Sequence, residues 1–168
     1  QLVDQTSATL TVIGDGRERA RLESMQSPAA RTQTQWRGKL PNEQAIAAMR
    51  DADLFVLPSR YEPWGLVVNE AMAAGLPVVA HRQVGAAIDL MEDSVHGWLL
   101  EELTTDALLE SFRQAAADRE HLHMMGAMAR ARVQAWSISA TVDGMIAAIM
   151  HGFAQSLKAS VKSEVTCA

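Results

Sequence analysis

Residues 59–75 read S-R-Y-E-P-W-G-L-V-V-N-E-A-M-A-A-G. Two glutamates, Glu62 and Glu70, bracket a Pro-Trp-Gly turn and the first turn of the helix it opens. A carboxylate near a helix start is ordinary capping chemistry. Two of them around a glycine that bares backbone N–H groups describe a place where something polar is held. The flanks fix the architecture. Leu54–Leu57 is a buried strand stopped by Pro58, and Leu66–Ala74 is a helix with Gly75 at C′ and Pro77 just beyond. Val78–Ala80 is the next strand. Strand, helix and strand in succession imply a right-handed βαβ crossover and a parallel sheet.

The same alternation extends both ways. Upstream, Thr9–Ile13 is a strand stopped by Gly14-Asp15-Gly16, a charged helix covers about Arg17–Met25, and Thr34–Arg37 forms a second strand. Asn42 caps a helix through Arg50, where Ile46 and Met49 share a face. Downstream, a short helix near Ala86–Met91 precedes a last strand at Trp98–Leu100. From Thr105 the pattern is helical only: Thr105–Ala117, about Glu120–Ala135, and a final helix capped by Ser137 or Ser139. Its apolar positions include Val142, Met145, Ile146 and Ile149, and these terminal helices are expected to cover one side of the sheet. The expected fold is a three-layer, Rossmann-like α/β domain over residues 1–155, with 156–168 a polar, disordered tail.

Bulk properties narrow the function. The 168 residues suffice for one domain with a sizeable core. A formal charge of −5 argues against nucleic acid, whose binding domains carry a basic excess. The single cysteine, Cys167, excludes a disulfide framework and a cysteine zinc site, and points to a reducing cytoplasm. No apolar run reaches the roughly 18 residues of a membrane span. A chain starting at Gln1 rather than methionine reads as a piece of something longer.

Glutamates eight apart are weak evidence alone, because Glu102 and Glu110 share that spacing with no supporting context. Position separates the pairs. Glu62 follows a parallel strand, so it stands at the carboxyl edge of the sheet, where ligands bind in open α/β folds. Gly65 admits a ligand close to the backbone. The N–H groups of Gly65, Leu66 and Val67 are helix-start donors without intrahelical partners. An anion there gains about 0.3–1 kcal/mol from the helix dipole, up to about 2 when partly buried. Glu70, one turn further in, only accepts hydrogen bonds, which suits sugar hydroxyls.

Other signals weigh less. Gly14-Asp15-Gly16 lacks the third glycine of a dinucleotide fingerprint, because Arg19 stands there. Asp51-Ala52-Asp53 looks like a metal-binding D-x-D, but it precedes its strand and so lies at the amino edge. His81 follows a strand at the correct edge. His96, His121, His123 and His151 show no ligand spacing with a carboxylate, so no metal site is expected.

The block D-A-D-L-F-V-L-P-S-R-Y-E-P-W-G-L-V-V-N-E-A-M-A-A-G-L-P-V-V-A (51–80) resembles the C-terminal, nucleotide-sugar-binding domain of retaining glycosyltransferases of family four, which have the GT-B fold. The likeness extends through V-I-G-D-G (12–16), R-G-K-L-P (37–41), V-H-G-W-L-L (95–100) and A-W-S-I-S-A-T-V (135–142). It implies that Glu62 lies beside the donor sugar and that Glu70 binds the ribose. Gly65 and Leu66, with Val67, would offer N–H groups to the diphosphate, Gly14 would line the cleft, and Arg37, Gly38, Lys39 and Leu40 would lie near the base. The implied reaction is sugar transfer from a UDP- or GDP-linked donor with retention, in cell-envelope glycan or polysaccharide synthesis. It needs no cofactor and no metal, and it runs in the cytoplasm, at or near the cytoplasmic face of the inner membrane.

Two departures shape the expectation. Where the family reads V-G-G-x-P-E, this chain has V-G-A-A-I-D (84–89), so Asp89 is a shortened acid. The family's diphosphate-gripping Arg and Lys belong to a strand–loop unit ahead of V-I-G-D-G, and no Arg or Lys precedes Thr9 here. The domain is therefore expected to lack its first strand–helix unit, and the N-terminal acceptor-binding domain is expected to be missing. The alternative reading is a non-catalytic nucleotide-sugar-binding or interaction module. Phosphorylase chemistry would need a suitably placed lysine, but only Lys39, Lys158 and Lys162 are present.

Overall fold

The computed structural model describes residues 8–165, with side chains through Gln155 except Ile138. Among the described residues, five strands and eight helices follow one another: β1 (Leu10–Ile13), α1 (Arg19–Ser24), α2 (Pro28–Gln33), β2 (Thr34–Gly38), α3 (Asn42–Arg50), β3 (Phe55–Leu57), α4 (Leu66–Ala74), β4 (Val78–His81), α5 (Gly85–Leu90), β5 (Gly97–Leu100), α6 (Thr105–Ala117), α7 (Arg119–Gln134) and α8 (Ile138–Val165). All strand pairs are parallel, as crossover connections require.

The three layers are written into β4. Its alternate side chains point to opposite faces. Val78 and Ala80 join a cluster with Met49 of α3, Val68, Ala71 and Met72 of α4, and Leu90 of α5. Val79 points the other way, into a cluster with Trp98, Ala115, Leu122 and Met125. Helix α7 serves both layers, because Leu122 and Met125 belong to the second cluster and Ala129 and Val133 to the first. Each fully buried Val, Leu or Met is worth about 1.5–3 kcal/mol against exposure, so the stability of the domain is concentrated around β4 and α4. Trp98 is buried with its polar atom satisfied: Nε1 donates to Gln114 Oε1 at 2.7 Å.

The caps explain most boundaries. Thr104 and Asp118 accept from the amides of Ala107 and His121 at 3.2 and 2.9 Å, starting α6 and α7. Ser137, rather than Ser139, starts α8 by accepting from Ala140 at 3.1 Å. Asn42 is not the cap expected of it: it is the first residue of α3, and Pro41 holds the cap position without a side-chain bond. Helix α2 was not anticipated. Ser27 caps it, with Oγ accepting from Ala30 at 3.0 Å, and Pro28 sits in its first turn.

Three features differ from the expected single sheet under terminal helices. The strands form two sheets, β1–β2 and β3–β4–β5. No described strand lies between β1 and β3 to join them. Helices α6 and α7 do cover the sheet, but Val142, Met145, Ile146, Ile149 and Phe153 of α8 are exposed. The backbone of α8 also runs on into the segment expected as a polar tail, whose side chains lie outside the described part. Finally, the helical stretch Arg119–Gln155 holds a window whose length and mean hydropathy of 1.2 would suit a membrane crossing, by length and composition only. It is not an unbroken apolar run in the sequence, because its Ala and Met residues are interspersed with polar ones.

Candidate functional site

Strand β3 ends at Pro58, and the chain from Arg60 to Gly65 crosses the carboxyl edge of the sheet. It is fastened there to the loop after β4. The amide of Glu62 donates to Gln83 O at 3.2 Å, Gly85 N donates to Glu62 O at 3.1 Å, and Ala86 N donates to Trp64 O at 2.7 Å. A parallel bridge between Glu62 and Val84 extends the pairing of β3 with β4 past both strands. The fit is close: a Cβ on Gly85 would stand 2.3 Å from the Pro63 carbonyl oxygen.

Gly65 turns the chain into α4 with φ +88°, a left-handed conformation natural to glycine. A Cβ there would press to 3.0 Å against both Glu62 Cγ and Val84 Cγ1. Glu62 is thus packed alongside the buried helix start. No side chain caps α4, and its first turn holds no acidic residue. The amides of Gly65, Leu66 and Val67 are without partners among the described residues. Glu62 and Glu70 are both half-buried, and neither carboxylate has a hydrogen bond or ion pair among the described residues. Two unpaired acceptors and an uncapped positive helix end stand together, a combination that costs stability unless a ligand uses it.

The second group of expected residues is held on the other sheet. Gly14 N donates to Gly38 O at 2.8 Å, joining the carboxyl ends of β1 and β2. Arg37 and Lys39 are exposed and unpaired among the described residues, and Gly38 and Leu40 are half-buried. Arg19 stacks over Trp36 at 5.8 Å and pairs with Glu23 at 2.8 Å.

Two neighbours, Tyr61 and Trp64, escaped the sequence reading. Tyr61 is 72% exposed, Leu66 is 62% exposed, and Trp64 donates Nε1 to Asn69 Oδ1 at 3.1 Å. An apolar rim therefore borders the glutamates. His81 bridges two loops, with its ring nitrogens 3.2 Å from Arg60 O and 3.1 Å from Glu101 O. It lines a cleft with Arg60, Gln83 and Thr104, where Arg82 pairs with Glu101. Asp89 is exposed on α5, and Arg132 donates to its backbone carbonyl at 3.3 Å. Asp53 accepts from Arg119 at 2.8 Å, which ties the amino end of β3 to the start of α7, away from the site. Among the described residues, no three His, Cys, Asp or Glu gather as metal ligands.

A family model described as glycosyl transferases group 1 matches residues 1–132. The chain belongs to this family. Among group 1 relatives, it is 35% identical to sulfoquinovosyl transferase of Arabidopsis thaliana over 127 residues, 73% of this chain and 24% of that protein. It is likewise 35% identical to D-inositol 3-phosphate glycosyltransferase of Segniliparus rotundus, over 68% of this chain and 25% of that one. The fold matches sucrose-phosphate synthase of Thermosynechococcus elongatus at TM-score 0.73 and 28% identity, covering 86% of this chain and 39% of that one. It also matches Anabaena HepE, solved with UDP, at TM-score 0.75 and 23% identity, covering 90% of this chain and 44% of that one. The architecture is that of GT-B glycosyltransferases. The chain spans about a quarter of the length of these curated group 1 relatives.

Proposed function

We propose that this chain forms the nucleotide-sugar half of a glycosyltransferase that moves a sugar from a UDP- or GDP-linked donor to an acceptor with retention. The observation that carries the reading is the pair of unpaired carboxylates, Glu62 and Glu70, around the uncapped start of α4. The diphosphate sits over the amides of Gly65 and Leu66, the ribose hydroxyls donate to Glu70, and the sugar stands beside Glu62. Arg37 to Leu40 and Gly14 border the base. UDP in complex with the similarly folded Anabaena HepE supports a nucleotide in this role.

Leaving-group chemistry fits these parts. As the glycosidic bond breaks, charge grows on the diphosphate oxygens, and preformed N–H donors at a helix end stabilise it where it develops. No metal is needed for that step, and no side chain is assigned as a covalent nucleophile. The dipole supplies about 1–2 kcal/mol, a small share of the roughly 8 kcal/mol of a micromolar complex. The 168-residue chain alone is therefore expected to bind nucleotide weakly and to transfer no sugar, because closure of a second domain is what excludes water and aligns an acceptor.

Calorimetric titration of the chain and its Glu70→Ala variant with UDP and with GDP tests the reading. One nucleotide should bind in the high-micromolar to millimolar range and lose most of its affinity in the variant. Equal affinity in both proteins would remove Glu70 from the ribose.

A further inference from the structure

His81 is the last residue of β4 and still pairs with Leu100 of β5. The strand behind it is firmly held, with Val78, Val79 and Ala80 wholly buried. From this fixed base the ring reaches two loops. Nε2 lies 3.1 Å from Glu101 O in the loop after β5, and Nδ1 lies 3.2 Å from Arg60 O in the loop after β3. The Gln83 amide also approaches Nδ1, at 3.4 Å. Nδ1 therefore faces an acceptor and a donor at once, and one proton decides which of them it bonds.

A neutral imidazole has one N–H and one bare nitrogen, whereas an imidazolium has two N–H groups. With its proton on Nε2, the neutral ring donates to Glu101 O and accepts from Gln83 in its own loop. Arg60 O is then set against a lone pair. The other neutral tautomer donates to Arg60 O and loses Glu101 O in the same way. Only the imidazolium donates to both carbonyls. The gain falls where the chain is least held. Among the described residues, Pro58, Ser59 and Tyr61 make no hydrogen bond, and Arg60 makes only this one. The next tie along the chain is the Glu62 amide on Gln83 O. Arg60 and Arg82 stand near the ring from the loops after β3 and β4, and Glu101 and Glu102 from the loop after β5, with Arg82 paired to Glu101. These four charges offset one another in sign.

We propose that His81 is a positioning residue that, protonated on both ring nitrogens, clasps the Arg60 end of the glutamate-bearing loop to the loop after β5. Histidine is the side chain that ordinarily changes charge between about pH 5 and 8. The clasp is closed at the acid end of that span and open at the alkaline end. Closing it steadies Arg60 to Gly65, the segment that carries Glu62 and opens α4. Tighter binding of a nucleotide sugar follows, a consequence that rests on the proposed function, whereas the clasp itself does not.

NMR of the ¹³C,¹⁵N-labelled 168-residue chain, titrated from pH 8 to 5.5, tests the clasp without any ligand. The Arg60 carbonyl carbon should move downfield and the Gln83 amide proton upfield, both in step with the His81 ring nitrogens. Exchange of the Glu62 amide, relative to its intrinsic rate at each pH, should slow about threefold to tenfold, the gain from one hydrogen bond. Both responses should vanish in His81→Gln, in which His96 still titrates. UDP-glucose, whose diphosphate takes up no proton over this range, should bind the wild-type chain about threefold to tenfold tighter at pH 5.5 than at pH 8. His81→Gln should bind it equally at both. A His81 ring that titrates while the Arg60 carbonyl stays still would overturn the clasp, and this reading needs no variant. So would a Glu62 response that persists in His81→Gln. Binding without pH dependence beside a working clasp would overturn the positioning role. Absence of binding by either protein would count against the proposed function instead, and the Arg60 and Glu62 readings would still decide the clasp.

Discussion

Glu62 and Gly85 are joined by the bond from the Gly85 amide to the Glu62 carbonyl, 3.1 Å long, and no side chain fits between Gly85 and Pro63. This contact holds the glutamate-bearing loop against the end of β4. Gly85→Val should push the Pro63 carbonyl away and cost about 1–3 kcal/mol, the range for overpacking a tight site. A urea titration measures that cost. Nucleotide affinity should fall further than a matched destabilising change in α6, since the loop positions Gly65 and Glu62 together.

On the proposed function, Glu62 and Glu70 should separate kinetically in the full-length protein. Glu62→Gln is expected to lower kcat more than it raises KM for the donor, because the proposed site sets its carboxylate beside the reacting sugar. Glu70→Ala should mainly raise the donor KM, by about 10–100-fold, the loss of one or two hydrogen bonds to a charged acceptor. Steady-state kinetics with varied donor decide it, and a reversed pattern would exchange the two roles.

Sequence periodicity and punctuation carried most of the architecture. Leu66–Ala74 with Gly75 and Pro77 was legible because cap, helix period and breaker agree. The division into two sheets was not, since local pattern reports that a strand exists but not which strand it pairs with. Helix α2 was missed although Ser27-Pro28 is a cap followed by a first-turn proline; its six residues are too few for a period to show. That Glu62, Gly65 and Glu70 gather at the start of α4 was readable from their place after a strand, while their role rests on the proposed function. Tyr61 and the Glu62–Gly85 pairing depend on the neighbouring loop, which no spacing rule supplies.

His96 gives the fold a pH dependence. It is buried, its Nδ1 accepts from Glu92 N at 2.9 Å, and burial holds its pKa below 6.5, with Arg132 adding to the effect and Glu92 opposing it. The unfolded chain therefore takes up this proton first as pH falls. Stability from neutral His96 is complete above about pH 7 and declines as pH drops through 6.5 toward the lower folded value. Thermal melts from pH 7.5 to 5 should show this slope, and His96→Asn, which keeps an acceptor for the Glu92 amide, should flatten it.

Metal should be dispensable. If the proposed site is right, sugar transfer by the full-length protein should survive excess EDTA, because helix-start amides rather than a cation would neutralise the leaving diphosphate. An absolute requirement for a divalent ion, lost in Asp51→Asn and Asp53→Asn variants, would move the chemistry to the opposite edge of the sheet.

The most direct test of the site is an amide NMR titration of the ¹⁵N-labelled chain with UDP and with GDP. Binding over the start of α4 should shift the amides of Gly65, Leu66 and Val67 first and most, with smaller shifts at Glu70 and Arg37 to Leu40. Glu70→Ala should weaken all of these shifts together. The largest shifts at Gly14, Asp15 and Gly16, with Gly65 to Val67 unmoved, would contradict the assignment.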